Sequence, residues 1–157
     1  IHESTARYIR RGYPLCVFDD AIKRLRKENI EVIVHTILGL PGENTADILE
    51  TMKYLNHMDI QGIKLQLLHV LRGTDLAADY EKGLFQTYER DEYLSLLINC
   101  LEHLRPDMVI HRITGDGPKD LLIAPLWASR KREVLNMLHH RMKEEQSFQG
   151  KQFIQNN

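Results

Sequence analysis

Cysteine is scarce here, with two thiols in 157 residues. Cys16 and Cys100 stand far apart, and neither has a Cys or His at metal-finger spacing. That excludes a disulfide framework and a zinc-finger site, and it reads both thiols as small hydrophobes. No excess of one charge sign exists either: 21 Lys and Arg against 22 Asp and Glu leave a net charge of -1. A protein built mainly to grip phosphate backbones needs a basic field, and this one lacks it. No apolar run approaches the roughly 20 residues that span a bilayer, and the opening residues carry no signal-peptide pattern. Glycine and proline are sparse and scattered, so no linker or low-complexity tract divides the chain. A cytoplasmic, soluble domain is expected.

What is present is alternation. Phe18, Ala21, Ile22 and Leu25 share one helical face, predicting a helix over 18–29 with basic residues late in it. Residues 31–38 are β-branched and nearly continuously apolar, as a strand covered on both faces would be. Gly39-Leu40-Pro41-Gly42 stops that strand, and Asn44 or Thr45 caps a helix carrying Ile48, Leu49, Met52 and Leu55. A second strand is expected over 62–70, a short helix over 75–82, and a long one over 91–104. A third strand over 108–113 and a last helix over 129–143, with Val134, Leu135, Leu138 and Met142 inward, complete the pattern. The domain is expected to span 1–146, followed by a polar tail, 147–157, that frays. Helices alternating with strands predict an α/β fold with parallel strands and crossover helices.

In such folds ligands gather at the carboxyl ends of strands, which points to the loops near residues 39–44, 69–75 and 114–119. Strand alternation puts His35 on one face of the first strand, and Lys64 and Gln66 on one face of the second. These three polar residues inside a sheet need partners or water, which favours a ligand cavity over plain structure. His35, His69 and His111 could instead serve a metal-dependent hydrolase, although their spacing has no helical HxxxH character. A non-catalytic α/β module binding an anion at the helix start after Pro41 is the other alternative. Trp127 is expected to anchor the last helix.

The segment His35-Thr36-Ile37-Leu38-Gly39-Leu40-Pro41-Gly42-Glu43 resembles the fifth-strand motif of radical S-adenosylmethionine (SAM) enzymes. Four further stretches narrow the likeness: Gly62–Leu65, then His69–Ala77, then Val109-Ile110-His111-Arg112-Ile113-Thr114-Gly115-Asp116-Gly117-Pro118, then Ala124–Trp127. Together they resemble a bacterial radical SAM family of uncharacterised function, distantly related to the radical SAM domain of the Elongator catalytic subunit. The resemblance implies the C-terminal half of a partial (βα)6 TIM-like barrel. It implies SAM and a [4Fe–4S] cluster as cofactors, with the CxxxCxxC cluster ligands absent from these residues, so this chain alone is expected to be inactive. The opening at Ile1, with no Met, fits a cut after the fourth strand.

By the same resemblance, Ile37, Gly39, Leu68, His69 and Val70 would border the adenine of SAM. His35, Lys64, Gln66, His111, Arg112, Asp116 and Lys119 would face a substrate whose identity the residues do not reveal. RNA modification is one option. A barrel cut at this point bares a strand edge, so self-association is expected.

Overall fold

The computed structural model describes residues 1–115 and 117–153. Its centre is a parallel sheet in the order β1-β2-β4, formed by Ile33–Leu38, Gly62–Leu67 and Val109–Arg112. Helices α1 (Glu3–Tyr8) and α2 (Leu15–Lys27) precede β1. Helix α3 (Thr45–Asn56) crosses over from β1 to β2, and α5 (Arg90–His103) leads from β2 towards β4. Between β2 and α5 lie β3 (Val70–Leu71) and α4 (Asp75–Glu81). Strand β5 (Leu122–Ala124), a 3₁₀ turn at Leu126–Ser129 and α6 (Lys131–Glu144) close the chain. The α/β class and the parallel crossover architecture are as the sequence implies. Among the described residues no helix is long and apolar enough to cross a membrane.

Alternation decides which side of the sheet is sealed. Val34, Leu38, Ile63, Leu65 and Leu67 are buried in one cluster with Ile48, Met52 and Leu55 of α3 and Leu94, Leu97, Ile98 and Leu101 of α5. Each such side chain stabilises the fold by about 1.5–3 kcal/mol relative to exposure. Helix α3 starts where Asn44 accepts hydrogen bonds from the Ala46 and Asp47 amides, while Asp47 returns a carboxylate to the Asn44 amide at 2.8 Å. At the far end Arg105 ties the helix ends together. Its guanidinium donates to the carbonyls of Asn56, Met58 and Ile60, and the Asn56 side chain donates to the His103 carbonyl at 2.8 Å.

Three expectations need correction. The strand foreseen over 62–70 breaks at Leu67: Val70–Leu71 leaves the main sheet and pairs antiparallel with Leu122–Ala124, a strand the hydrophobic pattern did not single out. A polar His69 at the break and only three residues in β5 explain why periodicity missed it. Leu135 was placed inward but is 41% exposed; α6 buries only Val134 and Leu138 fully. Helix α2 begins at Leu15, one turn earlier than foreseen, because Pro14 can sit at its N-cap. Of the tail expected over 147–157, residues 154–157 lie outside the described residues, and 147–153 are hydrogen-bonded to the body of the domain. The Gly150 amide donates to the Leu101 carbonyl at 3.1 Å, and the Gln149 side chain donates to the carbonyls of Arg105 and Met108.

Candidate functional site

Among the described residues the second face of the sheet has no such cover. Register places His35 beside Lys64 and Ile37 beside Gln66. Ile33 and Ile37 stay 39% and 40% exposed, and Lys64 and Gln66 are half-buried. His35, Lys64 and Gln66 therefore share this open face, opposite Val34, Leu65 and Leu67. On β4 the register slips: Ile110 opposes Ile63, but Arg112 opposes Lys64. That bulge turns two consecutive side chains to the same side. The His111 ring, already on this side by alternation, lies over Gly62, where a Cβ would come within 2.7 Å of it, and the bulge stands Arg112 beside Lys64.

The electrostatics follow from this placement. His35 holds its proton less readily than an ordinary histidine, first because the sheet desolvates it and then because Lys64 and Arg112 are both cations. The open face thus carries two cations and two imidazoles at strand spacing, about 4.8 Å from neighbour to neighbour.

At the carboxyl end of the strands the chain is held by close backbone approaches. Gly39 has φ +86°, and a Cβ there would meet the Tyr88 ring at 2.9 Å. Its lack of a side chain thus serves packing inside the fold as well as any ligand beyond it. Trp127 donates its indole N–H to the Tyr88 carbonyl at 3.1 Å and stacks near Tyr93, so it anchors this rim as well as the last helix. His69 follows β2, and its imidazole is embraced by two glycines. A Cβ on Gly115 would fall 2.4 Å from the ring, one on Gly117 2.8 Å, and the Gly117 amide donates to Nδ1 at 3.3 Å. Gly62, Gly115, Gly117 and Tyr88 are the residues that sequence reasoning missed. The Gly-Asp-Gly spacing was the available signal for two of them.

Of the residues expected to border a cofactor, Ile37 and Gly39 lie on the open face and its rim. The Leu68 and Val70 side chains are buried, Val70 in a small cluster with Ala77 and Ala124, so they offer backbone rather than side chains. Lys119 is exposed on the turn before β5, and Asp116 lies outside the described residues.

His35, His69 and His111 do not converge. His111 sits level with Gly62 at the start of β2, while His69 lies beyond its end, so the sheet itself separates them. The metal-dependent hydrolase built on these three is therefore overturned. Among the described residues one group, His2, Asp47 and Glu50, brings ligand atoms within 4.8 Å of one another. Two of its members are already engaged, His2 with the Asp47 carbonyl at 3.0 Å and the Asp47 carboxylate with the Asn44 amide. The anion-binding module fares no better, because Asn44 and Asp47 already fill the α3 N-terminus with their own acceptors.

The thiols do not fit an iron–sulfur cluster. Cys16 is exposed on α2, and Cys100 is wholly buried on α5, where burial pushes its thiol up to about 12 and keeps it protonated. Two such sulfurs cannot supply three thiolates to one cluster. For SAM the fit is better, since exposed Ile37 offers apolar surface beside the polar Gln66.

Residues 60–144 match the Radical_SAM C-terminal domain family. The chain is 41% identical to the uncharacterised protein YtqA of Bacillus subtilis over 153 residues, covering 98% of this chain and 48% of that protein. It is 24% identical over 137 residues to Elongator complex protein 3 of Schizosaccharomyces pombe, covering 85% and 25% respectively. The solved structure of Elp3 from the archaeon Methanocaldococcus infernus superposes with a TM-score of 0.77 at 17% identity, over 95% of this chain and 35% of that one. The chain thus spans about half the length of a curated relative such as YtqA.

Proposed function

Because the chain belongs to the radical SAM C-terminal domain family, related to Elongator, we propose that its open sheet face is the SAM- and substrate-facing side of a radical SAM enzyme. One observation carries this reading. The same three strands bury one face, apolar except for Thr36, and leave the other face open, lined by His35, Lys64, Gln66 and exposed Ile37. A merely structural sheet of this size has no reason to keep those polar groups at its centre.

In this reading Ile37 packs on the adenine of SAM, and Gly39, Leu68, His69 and Val70 shape its rim, chiefly through backbone. His35, Lys64, Gln66, His111 and Arg112 face the substrate, and Asp116 and Lys119 belong to the stretch that selects it. The bound cofactors supply the radical chemistry; the residues here bind, orient and shield. Since Cys16 and Cys100 are unsuited to it, the [4Fe–4S] cluster takes its thiolates from another part of the enzyme. Two free cysteines are consistent with a reducing cytoplasm.

The test is reductive SAM cleavage by the anaerobically reconstituted enzyme that combines this domain with a CxxxCxxC segment. Gln66→Leu should lower turnover roughly tenfold or more, the loss of one well-placed hydrogen bond to a charged or polar group, while leaving the unfolding midpoint nearly unchanged. Unaltered turnover with a large loss of stability would make the open-face polar residues structural. This chain alone, reconstituted with iron and sulfide, should yield no 5′-deoxyadenosine.

A further inference from the structure

We propose that the row His35–Lys64–Arg112–His111 on the open face binds a phosphate group of a small-molecule substrate. The inference deepens the reading above and depends on it for the word substrate, but not for the binding. Its basis is geometric. Without the β4 bulge, Arg112 would point into the helical layer; with it, Arg112 joins His111 on the face that already holds Lys64 and His35. Three adjacent strands thus contribute two permanent cations and two imidazoles to one line.

The line does not end at β4. Beyond that strand's outer edge lies a cleft of about 470 Å³, into which His111 and Arg112 also face, and α6 adds Lys131 and His139. The charged groups acting on His35 are both cations, and after desolvation they add to its resistance to protonation. A phosphate dianion fits what this surface offers: a guanidinium for paired hydrogen bonds, an ammonium as a point charge, and imidazoles that can take up a proton as the anion arrives.

The choice of a small molecule over a polynucleotide rests on extent. The row spans three strands, about 10 Å, enough for one phosphate. The chain as a whole has a net charge of -1 and offers no long basic track.

The experiment titrates inorganic phosphate into the isotope-labelled chain at constant ionic strength and follows the imidazole signals of His35 and His111. Saturable shifts at both rings are expected, half-complete near about 1 mM, with acetate roughly tenfold weaker because it carries one charge fewer. Lys64→Gln and Arg112→Gln should each weaken phosphate roughly tenfold, with circular dichroism unchanged because both sites lie on the open face. Shifts that grow linearly without saturation would overturn the proposal, as would undiminished affinity in the folded double variant. A single-stranded RNA oligonucleotide that binds and is not displaced by phosphate would overturn the small-molecule assignment. The Proposed function fails separately, on the turnover of Gln66→Leu, so either can fall alone.

Discussion

The two faces of the β1-β2-β4 sheet share one backbone and one register, yet they answer to different demands. On the sealed face Val34, Ile63, Leu65 and Leu67 are buried in one cluster with residues of α3 and α5, where a change of volume is felt in the fold. On the open face the neighbours in sequence, His35, Lys64 and Gln66, keep partial exposure, mixed chemistry and mutual repulsion. Moving one residue along β2 therefore changes the cost of a substitution from folding to function. Surface polarity alone would not teach this. The instructive point is that the polar residues stand at the centre of the sheet, on its middle strand.

The sharpest test of the contrast compares adjacent positions. Leu65 is 0% exposed, so Leu65→Ala should cost about 2–5 kcal/mol, the range for a buried leucine with partial collapse of the cavity. Gln66→Leu should stay within about 0.5 kcal/mol in the same urea denaturation series. Equal costs at the two positions would mean that the open face is covered in solution.

At the carboxyl rim the contrast blurs, because close packing there serves a loop. Gly115→Ala would drive a Cβ against the His69 ring, so it should destabilise by about 1–3 kcal/mol. The double variant with His69→Ala should recover most of that loss if the clash is the cause. A double-mutant cycle with no coupling would show that the glycine matters for backbone conformation instead.

Much of the sealed face was legible in the sequence, and the open rim was not. Apolar spacing at Ile48, Met52 and Leu55, and at Leu94, Leu97 and Leu101, announces helices, because burial selects side chains at the helical period. Strand alternation likewise foretold that His35, Lys64 and Gln66 share a side. The bulge at His111 left no such trace: it depends on register between two strands more than 40 residues apart, and nothing local marks it. The departure of β3 from the sheet and the embrace of His69 by two glycines are also decided by distant segments. Helix periodicity extended the core too far at Leu135, since α6 meets the rest of the fold along a narrower stripe than its pattern suggests.

The edge of the sheet offers a smaller effect. Among the described residues strand β1 pairs only with β2, so within them the outer side of Ile33–Leu38 presents unpaired backbone groups beside the exposed Ile33 and Ile37. We expect the isolated chain to self-associate through this edge, with light scattering giving a mass above that of one chain. Ile33→Lys should shift the distribution towards monomer by placing a charge on the edge. A monomeric wild-type chain at high concentration would refute the idea.

The smallest effect is also the most direct probe of the open face. His35 is pulled below the usual histidine value of 6.5 by desolvation first, then by Lys64, then by Arg112. Lys64→Gln should therefore move the His35 titration back upward, yet leave it short of the ordinary value, because desolvation remains. Histidine titration by nuclear magnetic resonance reads this without any cofactor. The consequence for stability has a definite sign. Between the folded and unfolded values the unfolded chain binds more protons at this ring, so stability rises with pH through that window. It is present above the unfolded value and lost as the pH falls through the folded one. Solvent screening at this exposed ring keeps the size of that loss small, so the resonance is the decisive readout. If His35 titrates at or above 6.5 and ignores Lys64→Gln, the two side chains do not share the face, and the row on which the phosphate proposal stands is broken at its first member.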